Sequence, residues 1–409
     1  MGRAVMSRPV VGESPGPPAG DPAPPPPGVD ALAALPTEAW VAAVVGLDGM
    51  GPARYRALVA EFGDARTAWD HVLAGQVHRR PAVAAALGKQ PGRVADSWAR
   101  DAAQLDPVAI WERHVEAGVG VVLPGAPGCP EVFTDDPEPP VILFHQGDPD
   151  VVVGARVAIV GTRDCTRYGH ELAFELAGDL SRAGVSVVSG LALGIDSGAH
   201  AGAVAAEGAP PIAVVGSGLD VVYPRRNGPL WREVARRGVV WSEYPLGSPA
   251  TAWHFPARNR LIAALCDVVV VVESHARGGA LLTVDEALRR NRTVMAVPGP
   301  VRSPASAGTN QLLADGPAAT VARDASDVLV ALGLGPGARR RAVEQRTPPL
   351  PGDQTVLDAM GWQPVTTDHL LLRTGLRFPD LAGALSRLEG SGWVAQRGGW
   401  LERRAKPDG

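Results

Sequence analysis

Residues 156–218 read RVAIVGTRDCTRYGHELAFELAGDLSRAGVSVVSGLALGIDSGAHAGAVAAEGAPPIAVVGSG, and the fold is decided there. Three near-continuous apolar runs, RVAIVG, VSVVSG and PIAVVGSG, each stop at glycine, and apolar residues at helical spacing fill the intervals. Strands without polar alternation are buried on both faces, which happens when helices cover both sides of a parallel sheet. The pattern continues through GVVWSEY (238–244), DVVVVVES (267–274) and TVMAVPG (293–299), with helix-period segments near Trp231 and from around Ala257 and Ala280. Six strands alternating with helices predict an α/β domain built on a Rossmann-like, doubly wound, mostly parallel sheet.

Outward from this core the composition shifts. Residues 1–30 carry PGPPAGDPAPPPPG, which cannot bury enough apolar surface to fold and is expected to stay a disordered tail. Residues 31–105 show apolar residues at helical spacing and predict a small helical domain. Its turn Gly46-Leu47-Asp48-Gly49-Met50-Gly51 has two open readings: a helix-hairpin-helix offering backbone N–H groups to phosphate, or a plain packing hairpin. The main domain is expected over 106–333, entered through a Pro-rich stretch with strand-like pieces at Val119–Leu123 and Val141–Phe144. Residues 334–352 read as a Gly-, Pro- and Arg-rich linker. Residues 353–404 predict three helices and a hairpin turning at Gly398-Gly399, a winged-helix-like order with Leu376–Leu388 in the recognition position. Asp368, Asp380 and Glu389 dilute the basic face of that domain, so contact with DNA and contact with protein both stay open.

Apolar residues make up 45% of the 409 positions and the net charge is −4, so a nucleic-acid site, if present, is a local patch. The cations are nearly all arginine, Lys89 and Lys406 being the only lysines, a bias that base composition alone could produce. Cys129, Cys165 and Cys266 have no C-x-x-C spacing, which points to free thiols and away from zinc or a disulfide framework. The apolar runs are strand-length, and the N-terminus lacks the apolar stretch of a secretory signal, so no membrane association and a cytoplasmic location are expected.

In a doubly wound sheet, ligands bind beyond the carboxyl ends of the strands. The loops there carry Gly161 and Arg163, Ser189 and Gly190, Arg225 and Arg226, then Phe255, Arg258, Asn259 and Arg260, then Gly278, Gly279 and Thr283, with Asn310 beyond. Glycines let backbone N–H groups approach a phosphate at a helix N-terminus, and arginines add charge-assisted contacts. Arg163, Arg225, Arg226, Arg258 and Arg260 interleaved with these loops predict a phosphate-binding rim spread over several strands. Tyr223, Trp253 and Phe255 lie beside it and are read as core packing or, alternatively, as base-stacking rings.

Several enzyme classes are disfavoured. The first loop reads G-T-R where a dinucleotide site has G-x-G-x-x-G, no G-x-x-x-x-G-K-[ST] occurs, and Gly216-Ser217-Gly218 lacks the first glycine of a nucleophile elbow. Asp196 and His200, four apart, suit one helical face, and a capping Asp with a satisfied structural His is preferred over a metal or acid-base pair. No catalytic residue, metal or cofactor is expected.

The ordered motifs VAIVGTR, VVSGLALGIDSGAH, IAVVGSGLDVVYP, WSEYP, FPARNRLIAAL, VVVVESHARGGALLTVDEAL, VMAVPG and GTNQLLADG resemble the DNA-processing protein A (DprA/Smf) family. The resemblance covers residues 110–330 and implies single-stranded DNA binding, homodimerisation and delivery of DNA to the RecA recombinase during natural transformation. It implies that Arg163, Ser189, Gly190, Arg258, Asn259, Arg260, Gly279, Thr283 and Asn310 form or support the DNA pocket. Two departures bear on affinity: Leu193 stands where the family often has a basic residue, and Gly278-Gly279-Ala280 replaces a hydroxyl-bearing Ser-Gly-Ser or Ser-Gly-Thr. Gly278-Gly279, Thr283 and Glu286 also resemble the loop of nucleoside-monophosphate phosphoribohydrolases, which keeps an enzyme as the alternative, with a protein-interaction scaffold as a third reading.

Overall fold

The structure, a computed structural model, describes residues 29–316, 318–334, 349–361, 364–397 and 399–404. Residues 1–28 of the expected tail, most of the expected linker and Gly398 of the expected hairpin turn lie outside the described residues. The chain divides into two compact units, residues 1–112 and 113–409.

The first unit is helical: α1 (Val29–Ala33), α2 (Thr37–Val45), α3 (Pro52–Phe62), α4 (Ala65–Leu73), α5 (Pro81–Leu87) and α6 (Pro91–Gln104), with α7 (Pro107–Glu116) running through the division. Proline opens α3, α5 and α6, where its fixed φ suits the first turn and its missing N–H is not needed. Asp64 caps α4 by accepting the Thr67 N–H at 2.8 Å. The 46–51 turn is knitted into this unit: Leu47 and Met50 are buried, the Asp48 carbonyl accepts the Trp98 indole N–H at 2.8 Å, and the Gly49 carbonyl accepts from Arg54 at 2.7 Å.

The second unit holds a nine-stranded sheet in the order β1-β2-β6-β5-β4-β3-β7-β8-β9. The strands are β1 (Gly120–Val122), β2 (Leu143–Gly147), β3 (Arg156–Val160), β4 (Ser186–Ser189), β5 (Ile212–Val215), β6 (Val239–Ser242), β7 (Val268–Val271), β8 (Thr293–Ala296) and β9 (Thr320–Val321). The expected strands are β3 to β8, all parallel. The sheet is three strands larger than the six-stranded core expected: the strand-like pieces at 119–123 and 141–144 join it as β1 and β2, and β9 is added without a sequence expectation. β1 and β2 pair with each other and β2 pairs with β6, all antiparallel, turning the Pro-rich entry segment into a sheet edge, and β9 adds a two-residue parallel edge. Edge strands are short and paired on one side, so they lack the long apolar run that marks a central strand.

Alternation along each strand sorts the core into two. Val157, Ile159, Val187, Val268 and Val270 face one layer, with residues of α8 (Arg167–Arg182) and α9 (Ile195–Ala206). Ala158, Val160, Val188, Val269 and Val271 face the other. There they meet α11 (His254–Leu265) and α12 (Ala280–Arg289), α10 (Gly228–Arg237) having come before β6. Among the parallel strands, chain order thus runs outward from β3 in both directions, and the switch falls between β3 and β7. After α13 (Ala307–Ala314) and α14 (Ala325–Ala331), the last domain comprises α15 (Pro351–Met360), α16 (Thr367–Thr374), α17 (Phe378–Gly390) and a sheet ordered β10-β12-β11 (Val365–Thr366, Trp400–Arg403, Val394–Arg397). This is the winged-helix order, closed over Val356, Leu370, Leu381, Leu388 and Trp393.

Candidate nucleic-acid interface

Where the connections from β3 and β7 leave in opposite directions, a crevice of ≈ 460 Å³ opens. It is lined from the β3 loop by Gly161 to Asp164, from α9 by Asp196, from α11 by Phe255, Arg258 and Asn259, and from the β7 loop and α12 by Arg277 to Ala280 and Thr283. Helices α9, α11 and α12 present their first turns to it, so partly positive backbone dipoles converge on one space. Helix α11 starts at His254, three residues before the expected Ala257, which puts Phe255 and Pro256 in its first turn.

The arginines separate into two sets. Arg163 is exposed, its guanidinium carbon 4.4 Å from the Phe255 ring centroid. Arg225 and Arg226 are exposed on a 3₁₀ turn, and Tyr223 just before it packs against Phe255 with ring centroids 5.5 Å apart, which sets that turn beside the crevice. Arg258 is only 4% exposed and donates to the Val214 carbonyl, so it forms the floor. Burial brings its pKa down to about 10 against the pull of Asp196. Gly190 is what makes room for it, because a Cβ there would run into the guanidinium. Arg260 is buried and held by both Glu243 oxygens at 2.5 and 2.6 Å. Of the five arginines expected on the rim, Arg163, Arg225 and Arg226 are exposed, while Arg258 and Arg260 are buried, Arg258 still lining the crevice; Arg277, exposed, lines it as well. Residue type and loop position alone do not say which way a helical arginine points.

Of the other expected residues, Gly161, Phe255, Asn259, Gly278, Gly279 and Thr283 come together as lining. Ser189 is fully buried and donates to the Ile159 carbonyl at 2.7 Å, and Asn310 spends its amide on Gly299, accepting from N–H at 3.1 Å and donating to C=O at 3.0 Å. Neither is among the lining residues. Tyr223 is 45% and Trp253 55% exposed, against the reading of these two as core. Asn227, absent from the expected site, donates to the carbonyls of Leu191 and Ala192 at 2.9 and 3.1 Å and so braces Leu191, which sits at φ 53°, a strained left-handed conformation for a branched side chain. No local sequence signal announces a contact across that separation.

Asp196 lies in the first turn of α9, and burial raises its pKa despite the nearby Arg258 cation. His200 departs from expectation: it is fully buried, yet neither ring nitrogen has a partner in hydrogen-bonding geometry. Burial lowers its pKa to about 4, with slight compensation from the Ser189 backbone. The folded state therefore binds fewer protons than the unfolded chain between its pKa of about 4 and the ordinary 6.5, so stability is present above that window and is lost as pH falls through it. We expect a loss of roughly 3 kcal/mol over that window, measured by denaturant unfolding. The substitution His200→Leu, which strands no hydrogen-bond partner, should flatten this decline; an unchanged acid slope in the variant would contradict it.

Glu286 does not line the crevice. It pairs with Arg289 at 3.2 Å and Arg290 at 2.6 Å, and Arg290 in turn holds Asp136. Among the described residues, no group of three or more His, Cys, Asp or Glu could hold a metal ion, and no helix is long and apolar enough to cross a membrane.

Comparison with known proteins is consistent with this geometry. The family model described as DNA recombination-mediator protein A matches residues 120–333, and a DprA winged helix domain model matches residues 341–399. Protein Smf of Synechocystis sp. is 30% identical over 400 residues, spanning 87% of this chain and 96% of that protein. The DNA processing protein DprA of Streptococcus pneumoniae is 40% identical over 190 residues, 46% of this chain and 66% of that protein. An X-ray structure of DNA processing protein A from Streptococcus pneumoniae aligns with TM-score 0.57 at 29% identity, covering 72% of this chain and 98% of that one. The chain belongs to the DNA recombination-mediator protein A (DprA/Smf) family.

Proposed function

We propose that this protein binds single-stranded DNA along the crevice and, as a cytoplasmic homodimer, protects incoming DNA and helps load the RecA recombinase onto it, without catalysing a reaction. The observation that carries the binding reading is Arg163, an exposed cation stacked on the half-buried Phe255 ring at the meeting of three helix N-termini. Phosphates would lie against Arg163, Arg225, Arg226 and Arg277 and the N–H groups around Gly161, Gly278 and Gly279, with Asn259 and Thr283 below. Tyr223, Phe255 and Trp253 would give bases a stacking surface, each good stack contributing about 1–3 kcal/mol. Arg258, Arg260, Ser189, Gly190 and Asn310 support the loops from beneath.

The engagement of Glu286 with two arginines argues against its use as the carboxylate of a phosphoribohydrolase. Purified protein is expected to retain labelled single-stranded oligonucleotide in a gel shift and to release no free base from nucleoside monophosphates. Base release that disappears in Glu286→Ala, with no oligonucleotide retained, would replace the binding reading with the enzyme.

A further inference from the structure

We propose that Glu273 is a positioning residue of this interface: its carboxylate and its main-chain carbonyl clasp both ends of the loop that carries Arg163. The inference rests on the single-stranded DNA reading and adds to it the device that aims the central cation. Glu273 follows β7 and is 4% exposed. Its carboxylate accepts the Thr166 N–H at 2.8 Å and the Thr166 hydroxyl at 2.5 Å, while its main-chain carbonyl accepts the Thr162 N–H at 2.8 Å. Residues 162 and 166 are thus tied to one residue on the other side of the switch point, and Arg163 lies between the two ties. Thr166 is also the N-cap of α8, accepting the Gly169 N–H at 3.0 Å, so the clasp sets the start of that helix as well. The helix passes so close that a Cβ at Gly169 would meet the carboxylate, which accounts for the glycine. An anion beneath a helix N-terminus that accepts both a backbone and a hydroxyl donor is a strong, directional fastening.

The sign of the effect separates this role from simple electrostatics. A carboxylate near a phosphate site repels DNA, so neutralising it should tighten binding if charge alone matters. A clasp predicts the reverse, because freeing residues 162–166 lets Arg163 sample positions that miss the phosphate, and ordering it again on binding costs entropy.

The test uses the full chain, a labelled single-stranded oligonucleotide read by fluorescence anisotropy, and amide hydrogen exchange of the 162–166 peptide. Glu273→Gln keeps volume and one carbonyl acceptor, Glu273→Leu removes both carboxylate acceptors, and Thr166→Val removes only the hydroxyl. We expect affinity to fall about threefold in the Gln and Val variants and about tenfold in Leu, each with faster exchange confined to the loop and the first turn of α8. In an Arg163→Ala background the same substitutions should change affinity less than about twofold, because the residue they position is gone. Should Glu273→Leu fail to fold, the Gln and Val variants carry the test. Equal or tighter binding by both, or losses just as large without Arg163, would overturn the inference. A wild-type protein that fails to bind the oligonucleotide would overturn the binding reading instead, and unchanged loop exchange in the variants would independently refute the clasp.

Discussion

Reversing the charge at Arg163, in Arg163→Glu, is expected to weaken single-stranded DNA binding about a hundredfold, roughly 3 kcal/mol, with the melting temperature unchanged within about 1 °C. The side chain is exposed and its stacking partner Phe255 is held by its place in α11, so little of the fold depends on the guanidinium. What is lost is a charge-assisted contact in a crevice where helix dipoles already favour anions, and the new carboxylate then repels the phosphate it replaces a partner for. Titration by anisotropy alongside a thermal melt checks both halves. Binding within about threefold of wild type would remove Arg163 from the interface.

Arg258→Met is expected to act the other way round, lowering stability by about 3–5 kcal/mol at neutral pH. Arg258 is buried, its hydrogen bond to the Val214 carbonyl holds α11 against β5, and its cation offsets the buried Asp196. Removing one member of such a set leaves an uncompensated carboxylate in a low-dielectric site. Asp196→Asn in the same chain should therefore restore part of the loss, a coupling that denaturant unfolding of the single and double variants measures. Additive losses would show that the two groups do not offset one another.

The contrast between these arginines marks the limit of what the sequence shows. Both stand in segments that follow strands of the parallel sheet, Arg163 in the β3 loop and Arg258 in the helix after β6, and composition cannot tell a rim cation from a floor cation. A signal was present in Ser189-Gly190, since a missing side chain at a strand end leaves space that something must fill, and Arg258 fills it. The six parallel strands were legible because burial on both faces writes an uninterrupted β-branched run. β1 and β2 were legible as strand-like pieces within the Pro-rich stretch, but not their place in this sheet, because β2 pairs with β6 far along the chain, and β9 is too short at two residues to leave a pattern. His200 follows the same rule: its spacing puts it on the expected helix, but nothing local in the sequence encodes a ring buried without hydrogen-bond partners. Glu273 and Asn227 leave no mark in the sequence pattern because each works through a backbone contact across loops, which no periodicity encodes.

On the proposed reading, phosphates of a single strand lie on the surface arginines of the crevice. Its most direct test is the salt dependence of the dissociation constant for a single-stranded oligonucleotide, compared with the duplex of the same sequence. With Arg163, Arg225, Arg226 and Arg277 each neutralising one phosphate, the logarithm of the dissociation constant is expected to rise with the logarithm of salt concentration with a slope of about +2.8, so that a fourfold rise in salt weakens binding roughly fiftyfold, and the single strand is expected to bind tighter than the duplex throughout. A slope near zero, or a duplex bound as tightly as the single strand, would contradict the account.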